Sequence, residues 1–109
     1  MPDYFVRKAQ CKHHQPFAGI DLYTAAGDKM MLSLVDLDAG AEVPAHSHPH
    51  EQMGILLEGA LQFTAGGQTT TILPGDMWRI PGGVEHMVVA IDGPARALDI
   101  FSPVREDLL

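Results

Sequence analysis

The sequence predicts an all-β sandwich or barrel in a single domain, on three observations. Turn signals recur at nearly even spacing: AAGD (25–28), DAG (38–40), EG (58–59), AGG (65–67), PGD (74–76), PGG (81–83) and DGP (92–94). Between them lie short runs of β-branched, aromatic and aliphatic residues, and strands at that spacing joined by tight turns build sandwiches and barrels. No segment after residue 19 keeps a helical period over ten residues.

In chain order the expected strands are IDLYTA, KMMLSLVDL, QMGILLE, ALQFTA, QTTTIL, DMWRI, HMVVAI and RALDIF. The opening VRKAQCK fits a helical turn or a paired arm equally, so residues 1 to about 19 are read as an N-terminal arm, with His13 and His14 in a polar turn ahead of the barrel. Gly59 follows Glu58 at an expected hairpin tip, and Gly75 with Asp76 makes a turn after Pro74. Pro81-Gly82-Gly83 bends the chain just before His86, where glycine supplies the positive φ such a bend needs.

A chain of 109 residues that is 46% hydrophobic can bury one core. Eleven glycines and eight prolines are dispersed rather than clustered, so the composition is globular and not low-complexity. A net charge of −7 argues against nucleic-acid and anionic-membrane partners, both of which call for basic patches. An anionic small molecule would need a local arginine against this field. The single cysteine, Cys11, excludes an intramolecular disulfide. No run resembles a signal peptide or a transmembrane span, and a reduced cytoplasmic setting is expected.

The chemistry concentrates in three histidines. Alternate residues of extended chain point to one face, so His46 and His48 aim two imidazoles at one point. His86, returned by the Pro-Gly-Gly bend, supplies a third, and neutral imidazole suits zinc, iron, copper and nickel. The plain alternative is a pair of solvated histidines in a proline-rich loop; the surrounding glycine spacing and a matching His86 favour the metal. His50 continues the alternation, but Pro49 interrupts the strand and makes His50 a rim residue.

The two segments read Gly40-x5-His46-x-His48-x3-Gln52-x6-Gly59 and Gly75-x5-Pro81-x-Gly83-x2-His86-x3-Ala90. They resemble the two signature motifs of the cupin superfamily. Gln52 stands where that family usually has glutamate, and Ala90 where it usually has asparagine. The resemblance covers residues 40–90, with motifs at 40–59 and 75–90, and implies one cupin domain over 1–109. It further implies a jelly-roll-like β-barrel with a metal near its mouth, held by His46, His48, Gln52 and His86. Three imidazoles and an amide oxygen are neutral, so a divalent ion keeps its full charge. That favours non-redox Lewis-acid chemistry. Zn, Ni, Fe(II), Mn and Co all suit such donors.

The last strand, ARALDIFSPVRED, adds a second feature. Asp99 and Phe101 share one face while Leu98 and Ile100 take the other. If the Leu/Ile face packs on the neighbouring sheet, Asp99 and Phe101 line the interior beside the metal. A carboxylate there would have a raised pKa, which makes Asp99 the general acid/base candidate. The alternative is an exposed edge aspartate with Phe101 in the core. Arg105 can fold over the mouth and clamp a carboxylate, or it can pair in solvent with Glu106 or Asp107.

PAHSHPHEQ together with a terminal D-x-F-S-P-x-R run resembles the pectin-degradation cupins of the KdgF type. That resemblance implies an isomerase acting on 4,5-unsaturated uronates, small anionic products of pectin and alginate lyases. The cyclic enol ether would be opened and ketonised to a linear 4-deoxy-5-keto uronate. Asp99, Phe101 and Arg105 match the family's pocket run. Three alternatives stand beside it: a metal-dependent dioxygenase, a lyase on a small sulfonium or acid, and a non-catalytic metabolite-binding cupin. A homodimer is expected, with the Tyr4-Phe5-Val6 arm pairing to a neighbour's sheet edge.

Overall fold

The computed structural model describes residues 4–109. After a 3-10 turn at Lys8–Gln10, eight strands follow: β1 (Lys12–Phe17), β2 (Ile20–Ala26), β3 (Met31–Leu37), β4 (Glu42–His46), β5 (Glu51–Ala65), β6 (Gln68–Ile72), β7 (Met77–Ile80) and β8 (His86–Ser102). A second 3-10 turn, Glu106–Leu108, ends the chain. Every strand pairing is antiparallel. Among the described residues no helix is long and apolar enough to cross a membrane.

The two long strands organise everything else. The second half of β8 runs between β3 and the first half of β5, which also carries β7 on its far side. The first half of β8 runs between β4 and the second half of β5, which carries β6. Where the halves meet, the register shifts twice between Leu56 and Ala60. Both strands bend there, and the sheet folds over itself into two layers. Ile20, Val35, Leu37, Leu56, Leu61, Phe63, Trp78 and Ile80 fill the space between.

This differs from the expected chain of separate hairpins at two places. Gly59 is not a hairpin tip, and DGP (92–94) is not a turn between strands; both are irregularities inside long strands. Gly59 has φ +88°, and a Cβ there would meet the Pro94 carbonyl oxygen, so the bend in β5 depends on a residue without a side chain. A turn-forming residue and a bulge-forming residue carry the same local signal, and only partner strands distinguish them. His13 and His14 likewise lie within β1, not in a turn ahead of the barrel. His13 stacks on Tyr23 with ring centroids 4.8 Å apart, and its Nε2 lies 2.8 Å from Asp21.

Candidate metal centre and its cavity

β4 and β8 set two of the histidines directly opposite one another, since His46 is the cross-strand partner of His86. Their ring centroids are 4.3 Å apart. His48 lies past the end of β4, in the loop leading to β5, so the pair does not share one strand as expected. Its ring still converges, 5.2 Å from His86 and 5.7 Å from His46. The Pro-Gly-Gly bend holds that loop: the Gly83 N–H donates to the His48 carbonyl at 2.9 Å. A Cβ on Gly82 would strike the Pro49 carbonyl oxygen, so the close approach needs glycine. One possible ligand atom from each of the three histidines falls within 4.8 Å of the others.

Backbone carbonyls fix which ring nitrogen faces the centre. Nδ1 of His46 lies 2.8 Å from the Pro44 oxygen, that of His86 2.9 Å from Val84, and that of His48 3.1 Å from His50. A carbonyl only accepts, so in the neutral rings of His46 and His86 Nδ1 carries the proton and Nε2 keeps its lone pair. Nε2 of His86 is buried with no hydrogen-bond partner. Burial lowers the pKa of His86, and burial followed by the Arg105 charge lowers that of His48. Both rings therefore favour the uncharged form that a metal requires.

Gln52 sits on β5 beside this cluster and is buried. Its Nε2 donates to Asp99 Oδ1 at 3.0 Å, which turns Oε1 toward His48 Nε2, also at 3.0 Å. The Gln52 oxygen, like the His50 carbonyl, only accepts, so a neutral His48 ring can donate to one of the two and leaves a lone pair facing the other. A cation there relieves the repulsion. This contact and the orphaned His86 nitrogen show that the residues present fit a divalent metal.

Asp99 occupies an inward row running Ser33, Asp99, Gly54, Trp78 across β3, β8, β5 and β7. Gly54 leaves the room that the Trp78 indole fills, since a Cβ there would collide with it. The indole N–H thereby reaches Asp99 Oδ1 at 2.9 Å. Burial pushes the Asp99 carboxyl up to about 6, although the hydrogen bonds from Gln52 and Trp78 pull the other way. Phe101, two residues on, is buried and meets the His48 ring edge-on at 5.6 Å. The opposite face of β8 does not pack on a second sheet as expected: Ile100 is 38% exposed. The inward phase of Asp99 and Phe101 survives because the cavity, not the outer face, is what the sheet wraps around.

Arg105 folds back over Phe101, its guanidinium carbon 5.0 Å from the ring centroid, and pairs with Asp107 at 2.7 Å. A cavity of about 430 Å³ brings Arg105 and Asp107 together with His46, Gln52, His86, Asp99, Phe101 and Ser33. That volume suits a small organic ligand. His48 faces the other two histidines but not this cavity. His50 stands beside His48 at 5.6 Å and is outside the histidine cluster. Sequence reasoning passed over Trp78 and Gly54. A glycine inside a strand run signals a close approach, and Trp78 shares the inward phase of Ile80, but nothing in the sequence pairs the two.

The family model of the cupin domain matches residues 33–101. A pectin degradation protein KdgF from Dickeya dadantii is 28% identical over 75% of this chain and 76% of its own length. The solved structure of KdgF from Halomonas sp. superposes with a TM-score of 0.87 at 28% identity, over 100% of both chains. A dimethylsulfoniopropionate lyase DddQ from Ruegeria pomeroyi is 32% identical over 70% of this chain, which spans 38% of that protein's length. With its two motifs inside the matched region and three histidines clustered by them, the chain belongs to the cupin family.

Proposed function

We propose that this protein is a metal-dependent isomerase that opens 4,5-unsaturated uronates and ketonises them to linear 4-deoxy-5-keto uronates. One observation carries the reading: two of the clustered histidines, His46 and His86, a carboxyl poised near 6 and a guanidinium line the same cavity. The likeness to KdgF proteins, one of them named for pectin degradation, supplies the substrate class. His46, His48, His86 and the Gln52 oxygen hold a divalent ion, which when bound supplies Lewis acidity toward a substrate oxygen.

Arg105 pairs with the uronate carboxylate and fixes the ring over Asp99. Ring opening breaks the hemiacetal C1–O5 bond and leaves C1 as an aldehyde and C5 as an enol. Asp99 then delivers a proton to C4 as the C5 oxygen becomes a ketone, so the reaction is an isomerisation with no oxidant. A carboxyl near 6 is suited to both giving and taking a proton at neutral pH. Phe101 supports the guanidinium of Arg105 and packs edge-on against His48. In this reading the protein acts on small anionic metabolites as a cytoplasmic homodimer.

Proton NMR in D2O tests this directly. The product should carry one deuterium at C4, introduced only in the presence of protein. An unsaturated uronate that persists unchanged would sink the proposal. The likeness to a sulfonium lyase favours one second reading, elimination from a small zwitterion, in which Asp99 abstracts a proton instead of delivering one. Release of dimethyl sulfide from dimethylsulfoniopropionate would favour that reading.

A further inference from the structure

We propose that Asp107 is a built-in competitor for the substrate carboxylate, occupying the Arg105 fork until an anionic ligand displaces it. The inference rests on the uronate reading for the substrate class, and it names a residue that sets affinity at the same site.

Arg105 is the one permanently cationic side chain lining the cavity among the described residues. Its guanidinium lies over Phe101, and the side chain is only 18% exposed. The side-on edge of its guanidinium, formed by Nε and one terminal nitrogen, is already taken. Arg105 Nε donates to Asp107 Oδ1 at 3.3 Å and a terminal nitrogen donates to Asp107 Oδ2 at 2.7 Å. This is the two-point geometry in which arginine binds a free carboxylate. Asp107 lies two residues along the chain and lines the same cavity, with its own side chain 58% exposed. Partial burial raises its carboxyl, but the Arg105 hydrogen bonds and charge outweigh that and keep it ionised at neutral pH.

Two carboxylates cannot share that one edge. A uronate that binds the guanidinium side-on must therefore turn Asp107 outward, and an exposed side chain on a short terminal turn does so at little cost. The intramolecular pair weakens binding of anions generally and leaves uncharged ligands unaffected.

Calorimetric titration of the full chain with galacturonate, a saturated uronate, and with its uncharged methyl ester tests this. Asp107→Asn should tighten galacturonate binding by about 3–10-fold, the range expected for removing a half-exposed charged competitor, and leave the ester unchanged. Glu106→Gln removes the same charge from the neighbouring exposed residue and should change neither. In an Arg105→Ala background the effect of Asp107→Asn should vanish. Equal or weaker galacturonate binding by Asp107→Asn would overturn the proposal, since Asp107 would then be a support for Arg105. An equal gain from Glu106→Gln would also overturn it. If unsaturated uronates are not turned over, the functional reading fails separately. Acetate then serves as the probe, and the same ordering of the variants must hold.

Discussion

Asp99 and Arg105 line one cavity, and the proposed reaction gives them different tasks. Positioned proton transfer is worth about 10²–10⁴ in rate, so Asp99→Ala should lower kcat by that order while metal content, measured by elemental analysis, stays the same. Arg105→Ala should raise KM about 10–100-fold with a smaller effect on kcat, because it removes a charge-assisted contact to the substrate. Steady-state kinetics on the two variants separates these roles, and wild-type turnover by Asp99→Ala would remove Asp99 from the chemistry. The histidines predict a pH dependence. A protonated imidazole cannot bind metal, so affinity falls with falling pH. Burial lowers the values of His48 and His86 below the ordinary 6.5, so the loss should begin at more acidic pH than for exposed histidines. Chelator-competition titrations between neutral and mildly acidic pH check the sign. The ring alternation of Asp99 and Phe101 was legible in the sequence because strand phase is strictly two-fold. The tie between Asp99 and Gln52 was not, since those residues stand 47 positions apart and meet only through the β5–β8 pairing.

Strand β5 shows what local pattern can and cannot convey. QMGILLE and ALQFTA were both legible as extended chain, and they are the two halves of one strand bent at Gly59. A glycine with positive φ closes a hairpin or opens a bulge, and the choice is made by the partner strand. Gly54, on the same strand, is a packing device for Trp78. Gly54→Ala should displace the indole and destabilise the fold by about 1–3 kcal/mol, the usual cost of overpacking. Denaturant titration followed by Trp78 fluorescence measures both effects, because Trp78 is the single tryptophan. An unchanged midpoint with an unchanged emission spectrum would show that the gap is not needed.

Across the whole molecule, one outer face stands out. Leu32, Ile100 and Met53 form a cross-strand row over β3, β8 and β5, followed by a row of Leu34, Leu98, Ile55 and Met77. Leu32, Met53, Met77 and Ile100 are all exposed. An apolar sheet face of that extent supports the expected homodimer through face packing, whereas the exposed Tyr4, Phe5 and Val6 are what support pairing by the arm. Light scattering at micromolar concentration should give a dimer mass, and Ile100→Lys should shift it toward the monomer. A wild-type monomer would contradict this. The fold class and the histidine cluster were legible because both rest on spacing along the chain. The outer face was not, because the alternation that marks an inward row marks an outward one equally. In the proposed function the histidine cluster and Asp99 together perform a metal-dependent isomerisation. Its most direct test is the ultraviolet absorbance of a 4,5-unsaturated monouronate mixed with metal-loaded protein, with dissolved oxygen recorded in parallel. The absorbance should decay without oxygen uptake, stop when the metal is chelated and resume when a divalent ion is restored. Absorbance that holds steady with metal bound, or decays equally after chelation, would contradict it.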